Sequence, residues 1–276
     1  MLLSKLDKPL VSVNWLHENL MASNLIVLDA TIPKVTDSDT FVNKDIIPNT
    51  LFFDLKQKFS DVSAPFPTTF PTLKQFEREA QKLGIQQNSI LVVYDDKGIY
   101  SSPRVWWLFK VFGFHNVAVL DGGLPAWKAA RFEVSKYYEV VKTEGDFIAK
   151  KPENQMYFFE DIQQNVKSNQ RLVIDARSKE RFKSLIDEPR SGLRRGTIPN
   201  SVNMPFENLL DSGIMKSETE LQAIFSKIAK PNDALAFSCG SGITACVLAL
   251  GAELAGYQNL AVYDGSWTEW GSLTTE

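Results

Sequence analysis

Of the two cysteines in the chain, Cys239 stands in the stretch FSCGSGITACVLALG, from Phe237 to Gly251. An apolar run ends at that residue, two glycines follow, and an Ala/Leu-rich helical pattern then begins. Gly240 and Gly242 carry no side chains, so consecutive backbone N–H groups there can curl inward as an anion-binding nest. A helix starting near Ile243 would direct the positive end of its dipole at the same place. Both features favour a thiolate over a thiol, and the thiolate is the nucleophile. Ser241 and Thr244 add hydroxyl donors. The plainer alternative is a small thiol filling a strand-to-helix turn.

Two reactions suit a cysteine in an amide-lined loop: phosphate-ester hydrolysis and sulfur transfer. A cysteine phosphatase needs an arginine six residues on to clamp phosphoryl oxygens, and that position is Ala245 here. Sulfur transfer needs only the nucleophile and a nest for a persulfide anion. Cys246, in an apolar Ala/Val/Leu setting, is read as packing rather than as a resolving thiol.

The elements that would hold this loop occur twice. LIVLDA (Leu25–Ala30) returns as RLVIDA (Arg171–Ala176), IPNT (Ile47–Thr50) as IPNS (Ile198–Ser201), and LDGGLPAW (Leu120–Trp127) as YDGSWTEW (Tyr263–Trp270). The order is conserved between the copies, as in a tandem duplication. Superposing them sets VVYDDKG on AFSCGSG, so that Asp95 faces Cys239, 144 residues apart. A thiol in one copy and a carboxylate in the other suggests one active half and one silent half. Short β-branched runs alternate with helical patterns in each half, which predicts α/β domains with mostly parallel sheets flanked by helices. In such sheets the working loops follow the carboxyl ends of the strands. The expected division is residues 1–136 for a catalytically inactive N-terminal domain, a polar linker over 137–156, and residues 157–276 for the catalytic domain.

Composition narrows the setting. The 276 residues are 44% hydrophobic and 23% charged, with a net charge of −3, which leaves no basic footprint for nucleic acid. No run approaches the roughly 18 apolar residues of a membrane span. The N-terminal stretch lacks an apolar signal core, and two cysteines seven apart suit a reducing compartment, so a cytoplasmic protein is expected.

The motifs CGSGITA, SPRVWWLFKVFG, VLDGGLPAW and YDGSWTEWG resemble those of the tandem rhodanese-type sulfurtransferases, over almost the whole chain. The uncharged GSG resembles the loop of the branch that acts on 3-mercaptopyruvate, whereas thiosulfate-preferring relatives carry basic residues there. The resemblance implies two rhodanese-like domains and a Cys239 persulfide. It further implies that Arg181 and Arg190, nine apart in DARSKERFKSLIDEPRSG, bind the substrate carboxylate. Bidentate guanidinium forks fit that role; the alternative is a structural ion pair, for Arg190 with Glu188 or Asp187. The implied site comprises Cys239 and Ser241 as catalytic residues, with Arg181, Arg190, Gly240, Gly242, Ile243 and Thr244 binding substrate. The sulfur donor is a small molecule, the acceptor is cyanide or a thiol such as thioredoxin or a small thiol, and no metal or organic cofactor is implied. A thiosulfate:cyanide sulfurtransferase and a low-turnover persulfide carrier or sensor are the alternatives.

The chain also departs from the pattern. Some relatives are read as using a Ser–His–Asp relay; here its serine would be Ser241 and its acid Asp61, but the histidine position falls on Thr68. His17 and His115, the only histidines, lie in contexts better read as structural. The tryptophans, Trp267 included, are expected in the core, with a place beside Cys239 as the alternative for Trp267.

Overall fold

The computed structural model describes residues 2–35 and 44–275. The chain divides into two units. The first contains Met1–Asp61, Phe70–Pro152 and Ser212–Ile214; the second contains Val62–Thr69, Glu153–Asp211 and Met215–Glu276.

In the first unit the strands are β1 (Leu10–Val11), β2 (Leu25–Asp29), β3 (Thr50–Phe52), β4 (Ile90–Tyr94) and β5 (Val117–Leu120). They lie in the order β1-β5-β4-β2-β3, with every pairing parallel. A central parallel strand is covered on both faces and reads as a continuous apolar run. The ILVVY of β4 does so, and all five residues are buried. Helices α1 (Val13–Asn19), α2 (Leu73–Lys82), α3 (Ser102–Val111) and α4 (Gly123–Ala129) connect the strands.

The second unit repeats this plan with β6 (Met156–Tyr157), β7 (Leu172–Asp175), β8 (Ser201–Asn203), β11 (Leu235–Ser238) and β12 (Leu260–Tyr263), while β9 (Leu210–Asp211) and β10 (Ile214–Met215) pair as a separate two-stranded sheet. Its sheet runs β6-β12-β11-β7-β8, again parallel throughout. The helices are α5 (Phe159–Ser168), α6 (Lys179–Phe182), α7 (Glu218–Phe225), α8 (Ala245–Leu254) and α9 (Ser266–Leu273). The expected α/β class with two parallel sheets is therefore present. Among the described residues no helix is long and apolar enough to cross a membrane.

Equivalent positions build both cores. Val27, Ile47, Val92, Leu120 and Trp127 cluster in the first unit. Val173, Ile198, Ala236, Tyr263 and Trp270 cluster in the second. The registers also match: Asp29 pairs with Tyr94, and Asp175 with Ser238, so the next residues along, Asp95 and Cys239, occupy the same place.

The polar stretch after Lys136 differs from a free linker. Backbone bonds tie Glu139 to Thr50, Gly145 to Gln81, Phe147 to Ile85 and Lys150 to Phe112, all within the first unit. Gly145 passes so close that a Cβ there would lie 1.9 Å from the Ile85 carbonyl oxygen. Phe147 is fully buried, edge-on to Phe76 and Phe109.

Candidate active site: the Cys239 loop

Strand β11 delivers the chain to Cys239, and α8 resumes regular structure at Ala245. Between them, Gly242 takes φ +73°, a left-handed conformation that glycine adopts without strain. Thr244 is the N-cap residue of α8, and Ile243 is buried. The loop is anchored from β12 and α9. Ser266 Oγ accepts hydrogen bonds from the backbone N–H groups of Cys239 (3.0 Å) and Gly242 (3.1 Å), and donates to the Tyr263 carbonyl at 2.9 Å. Cys239 Sγ lies 4.0 Å from the same hydroxyl. The first N–H groups of α9 continue the clamp: Trp267 donates to the Cys239 carbonyl at 3.0 Å and Thr268 to the Gly240 carbonyl at 2.9 Å.

Ser266 was not among the residues singled out from sequence, though a signal for it exists. Its φ is +51°, and its counterpart in the first copy, Gly123, has φ +52°. A left-handed non-glycine residue costs on the order of 1–3 kcal/mol and persists where its surroundings require it. The first copy uses glycine there; the second tolerates a serine whose hydroxyl fastens both ends of the cysteine loop.

The loop of the first unit shows what this architecture does with an anion. Asp95 is completely buried, and its Oδ2 accepts from the backbone N–H groups of Tyr100, Ser101 and Ser102, each at 2.9 Å. Ser102 Oγ adds a bond at 2.7 Å, and Lys97 N–H reaches Oδ1 at 3.0 Å. In the first copy, backbone N–H groups of the corresponding loop thus converge on a carboxylate from its own chain.

Two arginines approach the second loop. A Cβ on Gly240 would stand 3.2 Å from Arg181 Nη2 and 3.8 Å from Arg190 Nη1, so the glycine leaves room for both guanidinium groups. Arg190 Nη2 donates to Ser241 Oγ at 3.2 Å, and its Nη1 to Thr268 Oγ1 at 3.3 Å. Arg181 shares Glu188 Oε2 through Nε at 3.1 Å and through Nη2. The other Glu188 oxygen binds Arg177 at 2.7 Å, and Arg177 in turn holds Asp175 through Nε and Nη2. Arg177, Asp175 and Glu188 are all buried. The ion-pair alternative therefore applies to Arg181, whereas Glu188 and Asp187 pair elsewhere than with Arg190, Asp187 with Arg195.

The remaining candidates separate. Thr68, in the Val62–Thr69 segment of the second unit, donates from Oγ1 to the Ser241 carbonyl at 2.8 Å. Asp61 ends the preceding segment of the first unit. Cys246 is buried, with Sγ 3.3 Å from the Gly242 carbonyl oxygen. Trp267 is a core residue, its indole N–H bonded to the Arg194 carbonyl and its ring sandwiched between Arg177 and Arg194 at 4.6 and 4.8 Å. His17 stacks on Phe132 in the first unit. Among the described residues no group of three or more His, Cys, Asp or Glu is arranged to hold a metal.

Known proteins share both the architecture and the sequence. The Rhodanese-like domain matches residues 12–130 and again 159–273. Homo sapiens 3-mercaptopyruvate sulfurtransferase is 38% identical over 280 residues, covering 96% of this chain and 93% of its own. Gallus gallus thiosulfate sulfurtransferase is 36% identical over 278 residues, covering 96% and 94%. The crystal structure of Escherichia coli SseA, a 3-mercaptopyruvate sulfotransferase with the rhodanese fold, matches with a TM-score of 0.84 at 31% identity over 94% of this chain and 99% of that one. With two family domains, two matched sheets and near full-length identity of this order, the chain belongs to the rhodanese family and is one of its two-domain sulfurtransferase enzymes.

Proposed function

We propose that the enzyme takes sulfur from 3-mercaptopyruvate onto Cys239 as a persulfide, releases pyruvate, and passes the sulfur to a thiol acceptor (thioredoxin or a small thiol) or to cyanide. The observation that carries the donor assignment is the pair of guanidinium groups flanking an uncharged Gly240–Gly242 loop. The sulfur-accepting atom then meets no cation on its own loop, while a carboxylate a few bonds away meets Arg190, with Arg181 beside it in its ion pair with Glu188. A monoanionic α-keto acid with its charge remote from the reacting sulfur fits this better than a compact dianion.

The Cys239 thiolate attacks the substrate sulfur, forming an S–S bond as the C–S bond breaks. The electron pair of that bond passes into the enolate of pyruvate, and the proton of the substrate thiol ends on its methyl carbon. Ser241, held by Arg190, orients the enolate oxygen and assists that proton transfer. The backbone N–H groups of the Gly240–Thr244 loop cradle the terminal sulfur, apart from that of Gly242, which Ser266 Oγ holds. An acceptor thiolate then attacks the outer sulfur, and Cys239 leaves as thiolate. Asp61 is assigned no step. Neither cysteine is in a disulfide, which suits a reducing compartment such as the cytoplasm.

Intact-mass measurement after exposure to mercaptopyruvate tests the proposal. One added sulfur per chain is expected, absent from Cys239→Ser, with pyruvate released in step. Thiosulfate is the second reading, favoured by the identity to the Gallus gallus protein. Steady-state rates with the two donors separate them, and a clear preference for thiosulfate would replace mercaptopyruvate as the donor.

A further inference from the structure

Thr68 has a conformation that its residue type resists. Its φ is +59°, in the left-handed region that β-branched residues rarely enter, and it belongs to no helix or strand. Strain of this kind persists where the surroundings impose it and often accompanies function. Around Thr68 the imposed contact is visible: Oγ1 lies 2.6 Å from the Pro67 carbonyl oxygen and 2.8 Å from that of Ser241. A hydroxyl has one proton, so the two carbonyls share it. The Ser241 carbonyl lies two residues past Cys239, and Ser241 Oγ faces Arg190 Nη2. Ser241 is thereby gripped at both ends, its peptide by Thr68 and its hydroxyl by the guanidinium.

We propose that Thr68 is a positioning residue, fixing the Ser241 peptide so that the serine hydroxyl points to Arg190 and presents itself to the departing enolate. This inference rests on the proposed mercaptopyruvate reaction. Ser241 stands between two glycines, Gly240 and Gly242, whose own backbones are the least restricted of any residue. A rotation of the Ser241–Gly242 peptide would carry Ser241 Oγ away from Arg190 and break the Gly242 N–H bond to Ser266, while the Cys239 N–H bond to Ser266 holds Cys239 in place. Thr68 opposes that rotation. Its effect belongs to the turnover step rather than to substrate capture, because Arg181 is held by Glu188 and Arg190 keeps its bond to Thr268 without it.

Three variants test the assignment, each measured by kcat and KM for pyruvate release, by melting temperature, and by the rate of Cys239 alkylation with iodoacetamide. Thr68→Val keeps the shape and removes the donor; kcat is expected to fall about tenfold, as for a lost interaction made at the transition state, with KM and alkylation within about twofold. Thr68→Ser restores the hydroxyl and should recover kcat to within about threefold. Thr68→Gly relieves the strained φ, so its melting temperature should hold or rise while kcat still falls, which keeps the test valid if the valine variant fails to fold. Wild-type kcat in Thr68→Gly, or equal losses in Thr68→Ser and Thr68→Val, would overturn the inference. Failure of the wild-type enzyme to load sulfur from mercaptopyruvate would instead reject the reaction itself.

Discussion

Ser266 trades backbone strain for two hydrogen bonds at the ends of the Cys239 loop. Substitution separates the two effects. Ser266→Gly should hold its melting temperature, because the left-handed turn becomes easy as the hydroxyl is lost, yet persulfide formation should slow by about tenfold. Ser266→Ala keeps the strain, orphans the same two buried N–H groups, and should also lose about 1–3 kcal/mol of stability. Equal loading rates for wild type and both variants, followed by mass spectrometry, would remove Ser266 from the loop's support. Residues of this kind were only partly legible in the sequence. Cys239, Gly240 and Gly242 announced themselves because a thiol at a strand end, followed by two closely spaced glycines, has few structural uses. Ser266 did not, because positive φ is invisible in a string of letters and appears only once the two copies are laid in register. Arg181 was legible as a cation but not as a partner of Glu188, since that pairing depends on how the segment after α6 folds back.

At the scale of elements, the segment between β7 and β8 carries two of its arginines on a buried carboxylate. Glu188 bridges Arg177 and Arg181, and Arg177 continues to Asp175 at the end of β7. Removing one member of a buried ion network leaves its partner's charge uncompensated, which typically costs about 3–5 kcal/mol. Glu188→Gln is therefore expected to lower the denaturation free energy by that order in a urea titration, and to free Arg181 from its partner. A freed second guanidinium should raise the relative rate with thiosulfate over mercaptopyruvate. A stable variant with an unchanged donor ratio would contradict both expectations. The alternation of strands and helices was readable from β-branched runs and turn residues. The path of residues 139–150 was not, because its only deeply buried aromatic, Phe147, stands in the short run FIA between charged residues, too brief to show a periodicity.

Across the whole molecule, two copies of one sheet order end in loops with opposite contents, a carboxylate in the first and a thiol in the second. Loading should accordingly stop at one sulfur per chain. Asp95→Ala is expected to leave that stoichiometry intact but to destabilise the protein by several kcal/mol, since the side chain it deletes satisfies buried amides at about 1–3 kcal/mol each. Thermal unfolding of this variant beside Cys239→Ala measures the contrast; comparable losses in the two would mean that the loops are energetically alike. The bonds around Asp95 also say what a duplicated enzyme can discard. Four backbone N–H groups and one hydroxyl converge on that carboxylate. A copy without a nucleophile would thus not be released to vary at will: its converging amides call for an acceptor, and aspartate supplies one. On the proposed mechanism, the first loop would hold a permanent tenant in a receptor that its sibling keeps for transient guests.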